Sequence, residues 1–113
     1  MNRKFYPVVL EKEFQFLKLV KEEPGELNFL FLSTWDPICK DIIGLVSDIN
    51  AAGWYEDAQK PLYVIDSWNI PTVFPTMQVD KVPALVTIPK NRRSGFFRKE
   101  EHVSYIYKAL ELE

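Results

Sequence analysis

The segment from Trp35 to Lys40 contains the residues best placed for chemistry, because it joins the single cysteine of the chain to an aspartate. A thiolate is the nucleophile in disulfide exchange, and a position in the first turn of a helix lowers the pKa of a thiol. Asp36 opposes this effect, since its carboxylate competes for the same backbone amides and repels a thiolate. Cysteine is also often fully buried as a small hydrophobic residue. Two hypotheses for Cys39 therefore stand: an inert buried thiol or a reactive one.

Asp36 and Pro37 together predict the start of a helix. Aspartate is a favoured N-cap residue, and proline is tolerated at the first helical position. We expect the Asp36 carboxylate to accept a hydrogen bond from the backbone amide of Ile38 or Cys39. Capping explains this aspartate more simply than a catalytic role does.

Other catalytic or metal-binding sets have no support in the sequence. His102 is the single histidine and lies beside two glutamates, which is typical of a solvated surface residue. One cysteine and one histidine do not provide the ligands of a structural metal site. The four glycines form no phosphate-binding pattern, so no cofactor is expected.

A basic segment near the C-terminus is interrupted by two phenylalanines, Phe96 and Phe97. Basic residues interleaved with aromatic rings can bind a nucleic-acid strand, but they also occur in solvated hairpin turns that protect an edge strand. Nucleic acid is therefore the weaker partner hypothesis. The basic residues are Lys90, Arg92, Arg93, Arg98 and Lys99.

Composition indicates a packed domain without a global preference for a charged partner. The 113 residues fit one domain, residues 1–113, and 47% hydrophobic content argues for a core. A net charge of −2 gives no general attraction to nucleic acid or to anionic membranes. Without a spanning apolar segment or a signal peptide, and with one cysteine, we expect a cytoplasmic protein.

The apolar pattern and the Pro and Gly positions predict the elements that place the Trp35–Lys40 segment. Pro7 indicates that the first strand lies at an edge or that a strand starts there, and the second strand is apolar enough to be central. Predicted strands cover residues 5–10, 26–34, 62–65, 84–88 and 95–98; predicted helices cover 11–23, 37–53, 71–77 and 100–112.

The expected buried faces follow from helical and strand periodicity. The first helix should bury Phe14, Leu17 and Val20. The sheet core should contain Leu30, Phe31, Val64, Ile65 and Leu85. The second helix should bury Ile38, Ile42, Ile43, Leu45, Val46 and Ile49, and the last should bury Val103, Ile106, Tyr107 and Leu110. Of the aromatic residues Trp35, Trp54, Tyr55, Trp68 and Phe74, we expect most in the core and Trp35 at the surface.

Strands alternating with helices, followed by a hairpin, predict an α/β fold with a mixed four- or five-stranded sheet and helices on both faces. The segment WDPICK, with the later Val82-Pro83-Ala84, resembles thioredoxin, which has WCGPCK and a later cis proline. The resemblance implies a thioredoxin-like three-layer sandwich and a cis Val82–Pro83 bond beside the turn at residues 35–39.

The same resemblance implies a redox-inactive site. Cys39 aligns with the second thioredoxin cysteine, and Asp36 stands where the nucleophilic first one would be. Thioredoxins also use a buried aspartate and a lysine, whose positions here are Leu30 and Leu62. WDPIC is also similar to the Trp-Asp-Pro-x-Cys motif of Dim-type thioredoxin-like proteins of the spliceosome, in which the fold is an assembly component.

These resemblances favour a non-catalytic module that binds a protein or an extended peptide. In thioredoxins, the face formed by the helix start and the cis-proline loop binds extended peptides. The alternative is a monothiol redox or thiol-sensing protein that uses Cys39. The corresponding binding residues here are Trp35, Asp36, Pro37, Ile38, Val82 and Pro83.

Overall fold

The computed structural model describes residues 5–53, 60–90 and 97–110. These residues form five strands and four helices in an alternating order that ends in an antiparallel strand pair and a helix. The strands are β1 (Phe5–Val9), β2 (Leu27–Leu32), β3 (Lys60–Asp66), β4 (Ala84–Ile88) and β5 (Arg98–Glu100); the helices are α1 (Glu13–Glu22), α2 (Pro37–Ala52), α3 (Val73–Thr76) and α4 (Val103–Leu110).

The described strands form one mixed sheet in the order β1-β3-β2-β4-β5. Strands β1, β3 and β2 are parallel, whereas β4 runs antiparallel to β2 and β5 antiparallel to β4. Every residue of β2 is buried, which confirms its predicted central place. Strand β1 lies at an edge, where Pro7 is tolerated because an edge strand has unpaired backbone positions.

Helices cover both faces of the sheet, as predicted. One buried cluster joins Phe16 of α1 and Val73 of α3 to the face that contains Phe29 and Phe31. The second cluster joins α2 and α4 to the opposite face, which contains Leu30. Successive residues of β2 point to opposite faces, so a single apolar strand contributes to both clusters.

The predicted buried face of α1 is wrong for two of its three residues. Phe14 and Leu17 are exposed, whereas Phe16 is buried and Val20 is partly buried. The Phe16 ring packs against Phe29 with ring centroids 5.0 Å apart. Packing against the sheet therefore buries the side of α1 that carries Phe16, and not the side that carries Phe14 and Leu17.

The end of α2 was predicted correctly, but of its predicted buried face Ile38 is exposed and Ile43 and Leu45 are only partly buried. Gly53 caps the helix in the left-handed conformation, with φ 67°, which glycine adopts without a Cβ penalty. Ile38 is 46% exposed, because it lies at the open start of the helix. Ile42, Val46 and Ile49 are buried as expected.

The C-terminal elements lie later in the chain than predicted. Glu100 belongs to β5 and pairs with Leu85, so it does not begin the last helix. Leu85 itself is only partly buried, whereas the other four predicted core residues of the sheet are buried. Ile106 and Leu110 form the buried side of α4, in agreement with the predicted face.

Within the described ranges, no helix has both the length and the apolar character that are needed to cross a membrane. The same residues include no group of three or more His, Cys, Asp or Glu side chains placed to hold a metal ion.

Candidate functional site

The candidate site begins where β2 ends and the chain turns into α2. The Asp36 amide donates to the Ser33 carbonyl at 3.1 Å, which closes a tight turn. The Asp36 carboxylate accepts hydrogen bonds from the amides of Ile38 and Cys39 at 2.9 and 3.0 Å. Pro37 occupies the first position of the helix. The predicted N-cap is confirmed, and both predicted donors contribute to it.

Replacing Asp36 by alanine should lower the free energy of unfolding by about 0.5–2 kcal/mol, because two amides lose their acceptor. Urea unfolding of the purified variant measures this change. Asp36→Asn is the matched control, since asparagine caps helices about as well as aspartate. An alanine variant as stable as wild type would show that this cap contributes nothing.

Asp66, at the end of the neighbouring strand β3, fixes the backbone of the turn. Its carboxylate accepts a hydrogen bond from the Thr34 amide at 3.1 Å. Ser67 donates from its amide to the Leu32 carbonyl at 2.9 Å, and its hydroxyl donates to the Ser33 hydroxyl at 3.0 Å. The loops that follow β2 and β3 are therefore held side by side.

These two loops bring Trp35 and Trp68 together at the surface. Their ring centroids are 6.1 Å apart in an edge-to-face arrangement, and the two residues are 74% and 70% exposed. Trp35 is at the surface as predicted, but the expectation that most of these rings lie in the core fails for Trp68. The sequence signal is the position of Trp68 just after the predicted strand at residues 62–65, but its contact with Trp35 also requires β2 and β3 to be neighbours in the sheet.

The other aromatic residues of that group do not contribute to this surface. Phe74 is partly buried, and its ring meets Phe31 edge to face at 5.0 Å. Trp54 and Tyr55 lie outside the described residues.

A shallow groove of about 360 Å³ lies beside the two tryptophans. Thr34, Trp35, Lys40 and Trp68 line it. The Lys40 side chain is exposed and forms no ion pair with any described residue. The groove is thus mainly aromatic, with one cation at its border.

Strand β4 brings Val82 and Pro83 to the same end of the sheet. The Val82–Pro83 peptide bond is cis. Ala84 is paired with Phe31, so the preceding Pro83 lies beside the end of β2, where the turn starts. Val82 packs against both buried clusters, including the cluster that contains Cys39.

Cys39 lies beneath this surface and is fully buried. Burial is the largest cause of a rise in the pKa of its thiol from 9.0 to about 11; a hydrogen bond with the Ser33 backbone opposes this rise, and the nearby carboxylates of Asp36 and Asp66 add to it. The helix start therefore does not yield a low-pKa thiol here. Cys39 belongs to the same apolar cluster as Leu30 and Leu62, both of which have no exposed surface.

The described basic residues near the C-terminus do not share one face. Arg98 and Lys99 are neighbours on β5, so their side chains point to opposite faces of the sheet. The Lys99 ammonium donates to the Gln78 carbonyl at 2.7 Å. Lys90 is exposed. Arg92, Arg93 and Phe96 lie outside the described residues.

His102 is exposed, as expected, and precedes α4. Its Nδ1 lies 2.7 Å from the Ser104 hydroxyl and accepts from the Ser104 amide at 3.3 Å, and its ring meets Tyr105 edge to face. All of these contacts are with residues of the first turn of α4, so the position of His102 is explained by the start of this helix.

No protein-family model matches the chain, and no curated protein is similar to it in sequence. Solved structures of thioredoxins do resemble it. Thioredoxin O2 from Arabidopsis thaliana has 18% identity and a TM-score of 0.62, with 97% of this chain and 96% of that chain covered. Thioredoxin NaTrxh from Nicotiana alata has 14% identity and a TM-score of 0.63 over 96% and 92%. Chloroplastic thioredoxin z has 17% identity and a TM-score of 0.58 over 97% and 94%.

The TM-scores and the coverage establish the fold, whereas identities below 20% leave the activity open. The topology of the sheet, the helices on both of its faces and the near-complete coverage of both partners agree with one another. The chain therefore has the thioredoxin-like fold and a single cysteine, which is buried at the start of α2.

Proposed function

We propose that this protein is a non-catalytic binding module that holds an extended segment of a partner protein on the face formed by residues 35–38 and by Val82 and Pro83. The contrast between the exposed and the buried groups of this face supports the proposal. Two tryptophans point into solvent, whereas the thiol beneath them is fully buried. The surface offered to a partner is thus aromatic and not nucleophilic.

Exposed tryptophans favour recognition, because each indole buries a large apolar area and tryptophan is enriched among the residues that dominate binding energy. The hydrogen bonds of Asp66 and Ser67 hold both loops, so little ordering is required when a partner binds. Ile38, the exposed residue at the start of α2, adds an aliphatic contact to the same face.

The backbone beside Pro83 suits an extended partner. Pairing between β4 and β2 starts at Ala84, so the backbone groups of Val82 lie outside the ladder. An extended segment can hydrogen-bond to such groups while its side chains occupy neighbouring grooves. The aromatic groove beside Trp35 and Trp68 would receive an apolar side chain, and Lys40 would favour an acidic residue next to it.

The monothiol alternative has less support. Disulfide exchange requires a thiolate that can reach its target, and Cys39 has neither an exposed sulfur nor a lowered pKa. The motif-level likeness to Dim-type proteins, in which the fold serves assembly, agrees with the binding proposal.

Selection of a random peptide library displayed on phage against the immobilised protein tests the proposal. We expect selected peptides to bind Trp35→Ala at least roughly 30-fold more weakly than wild type, because loss of a central tryptophan contact is worth about 2 kcal/mol or more. Calorimetry or fluorescence anisotropy with single synthetic peptides measures this change.

Two control variants separate the alternatives. Phe14→Ala removes a similarly exposed aromatic residue that lies outside the groove, and it should bind as wild type does. Cys39→Ala should also retain binding, because the thiol is not at the surface. Failure to select any peptide, or equal affinity for Trp35→Ala, would contradict the proposal. Binding that requires Cys39 would instead support the monothiol hypothesis.

A further inference from the structure

A second cavity lies at the other end of the sheet, between the first residues of the parallel strands and α4. Its volume is about 380 Å³, which is in the size range of small-molecule sites. Asn28 near the start of β2, Lys60 at the start of β3 and Lys108 of α4 all line it. The turn into α2 follows the opposite end of β2, so the two sites are separate.

The floor of this cavity contains a buried polar pair. Asn28 and Thr87 are 4% and 8% exposed and face each other across β2 and β4. The Thr87 hydroxyl donates to the Asn28 Oδ1 at 3.0 Å. The Asn28 amide nitrogen donates to Glu26 at the long distance of 3.4 Å, and within the described chain it has no other acceptor. At least one amide hydrogen of a residue that lines the cavity is therefore left without a protein acceptor, although buried polar groups are normally satisfied.

Three cations and two carboxylates line the cavity together with this donor. Arg98 and Lys108 line the cavity, and neither has a carboxylate within 4.0 Å among the described residues. The Lys60 ammonium lies 3.5 Å from the Glu26 carboxylate, so these two charges offset each other. Glu100 is the remaining acidic side chain of the lining. Within the described part of the chain, the uncompensated groups of the lining are thus two cations, one amide donor and one carboxylate.

We propose that this cavity binds a small organic anion in which a phosphate or carboxylate group lies next to a hydroxyl or amino group. The anionic oxygens would accept hydrogen bonds from Arg98, Lys108 and the free Asn28 amide, since charge-assisted bonds to arginine are among the strong ones in proteins. Glu100 would accept a hydrogen bond from the neighbouring hydroxyl or amine. The inference is independent of the proposed peptide-binding face.

Titration of the isotope-labelled protein with inorganic phosphate, glycerol 3-phosphate and lactate, followed by NMR, tests this site. We expect saturable shifts of the Asn28 side-chain amide and of the Thr87 backbone amide in the millimolar range, with glycerol 3-phosphate or lactate binding more tightly than phosphate. The comparison of those two compounds distinguishes a phosphate from a carboxylate ligand. Sodium chloride at matched ionic strength controls for screening.

Two variants test whether the anion binds in this cavity. Arg98→Gln should weaken binding roughly tenfold or more, because a hydrogen bond to a charged group is lost. Lys21→Gln, an exposed position of α1 that lines neither site, should leave the affinity unchanged. A cavity that holds only water would give no saturable shift with any of the three anions, and this result would overturn the proposal. Equal binding by wild type and Arg98→Gln would overturn it as well.

Discussion

At pH 8, Cys39 in the folded protein should react with a disulfide reagent at least about 100-fold more slowly than the same thiol in the unfolded chain. Only the thiolate reacts, and an increase of its pKa from 9.0 to about 11 lowers the thiolate fraction at this pH by about 100-fold. Burial reduces the rate further, because the reagent cannot reach the sulfur. The rate should keep rising with pH toward 11, since the thiol loses its proton only in that range.

With dithiobis-nitrobenzoate as the disulfide reagent, the absorbance of the released thionitrobenzoate gives the rate of this reaction in buffer and in urea. The rate of glutathione, measured in both solvents, is the reference. A matched control moves the thiol to the surface of the same helix, as Ser47→Cys combined with Cys39→Ala, since Ser47 is exposed. This variant should react at nearly the glutathione rate. A native Cys39 that reacts as fast as the control would refute the buried-thiol account and would support the monothiol hypothesis.

The parts of the fold that were predictable are those in which one physical signal dominates. A strand that is apolar at nearly every position is typical of a place covered on both faces, and β2 occupies such a place. Asp36 and Pro37 are a strong local signal for a helix start, and the observed capping bonds agree with it. Gly53 similarly marks the end of α2.

Long-range contacts determine the features that were not predictable. In α1, apolar residues occupy two adjacent sides of the helix, so periodicity alone cannot choose between Phe14 and Phe16; packing against Phe29 makes the choice. The pairing of Trp35 with Trp68 depends on the adjacency of β2 and β3 and on the bonds that Asp66 and Ser67 make to the turn. The sequence of a single segment predicts neither the packing of α1 on Phe29 nor the contact between the two tryptophans.

Replacing Leu30 by aspartate should be the most destabilising single change near the candidate site. Leu30 has no exposed surface and lies in the cluster of Cys39 and Leu62. Leu30→Ala should cost about 2–5 kcal/mol through lost burial and the cavity that remains. At pH 7, Leu30→Asp should cost more, because this apolar cluster provides no cation for an ionised carboxylate.

Urea unfolding of Leu30→Asp and of Leu30→Asn, a neutral side chain of nearly the same shape, isolates the cost of the charge. Burial raises the pKa of the introduced carboxyl in the folded state above its unfolded value of about 3.9. The extra cost is therefore absent below about pH 4 and grows as the pH rises, until the folded state also ionises. Equal stability of the two variants at pH 7 would show that the cluster accepts a buried charge.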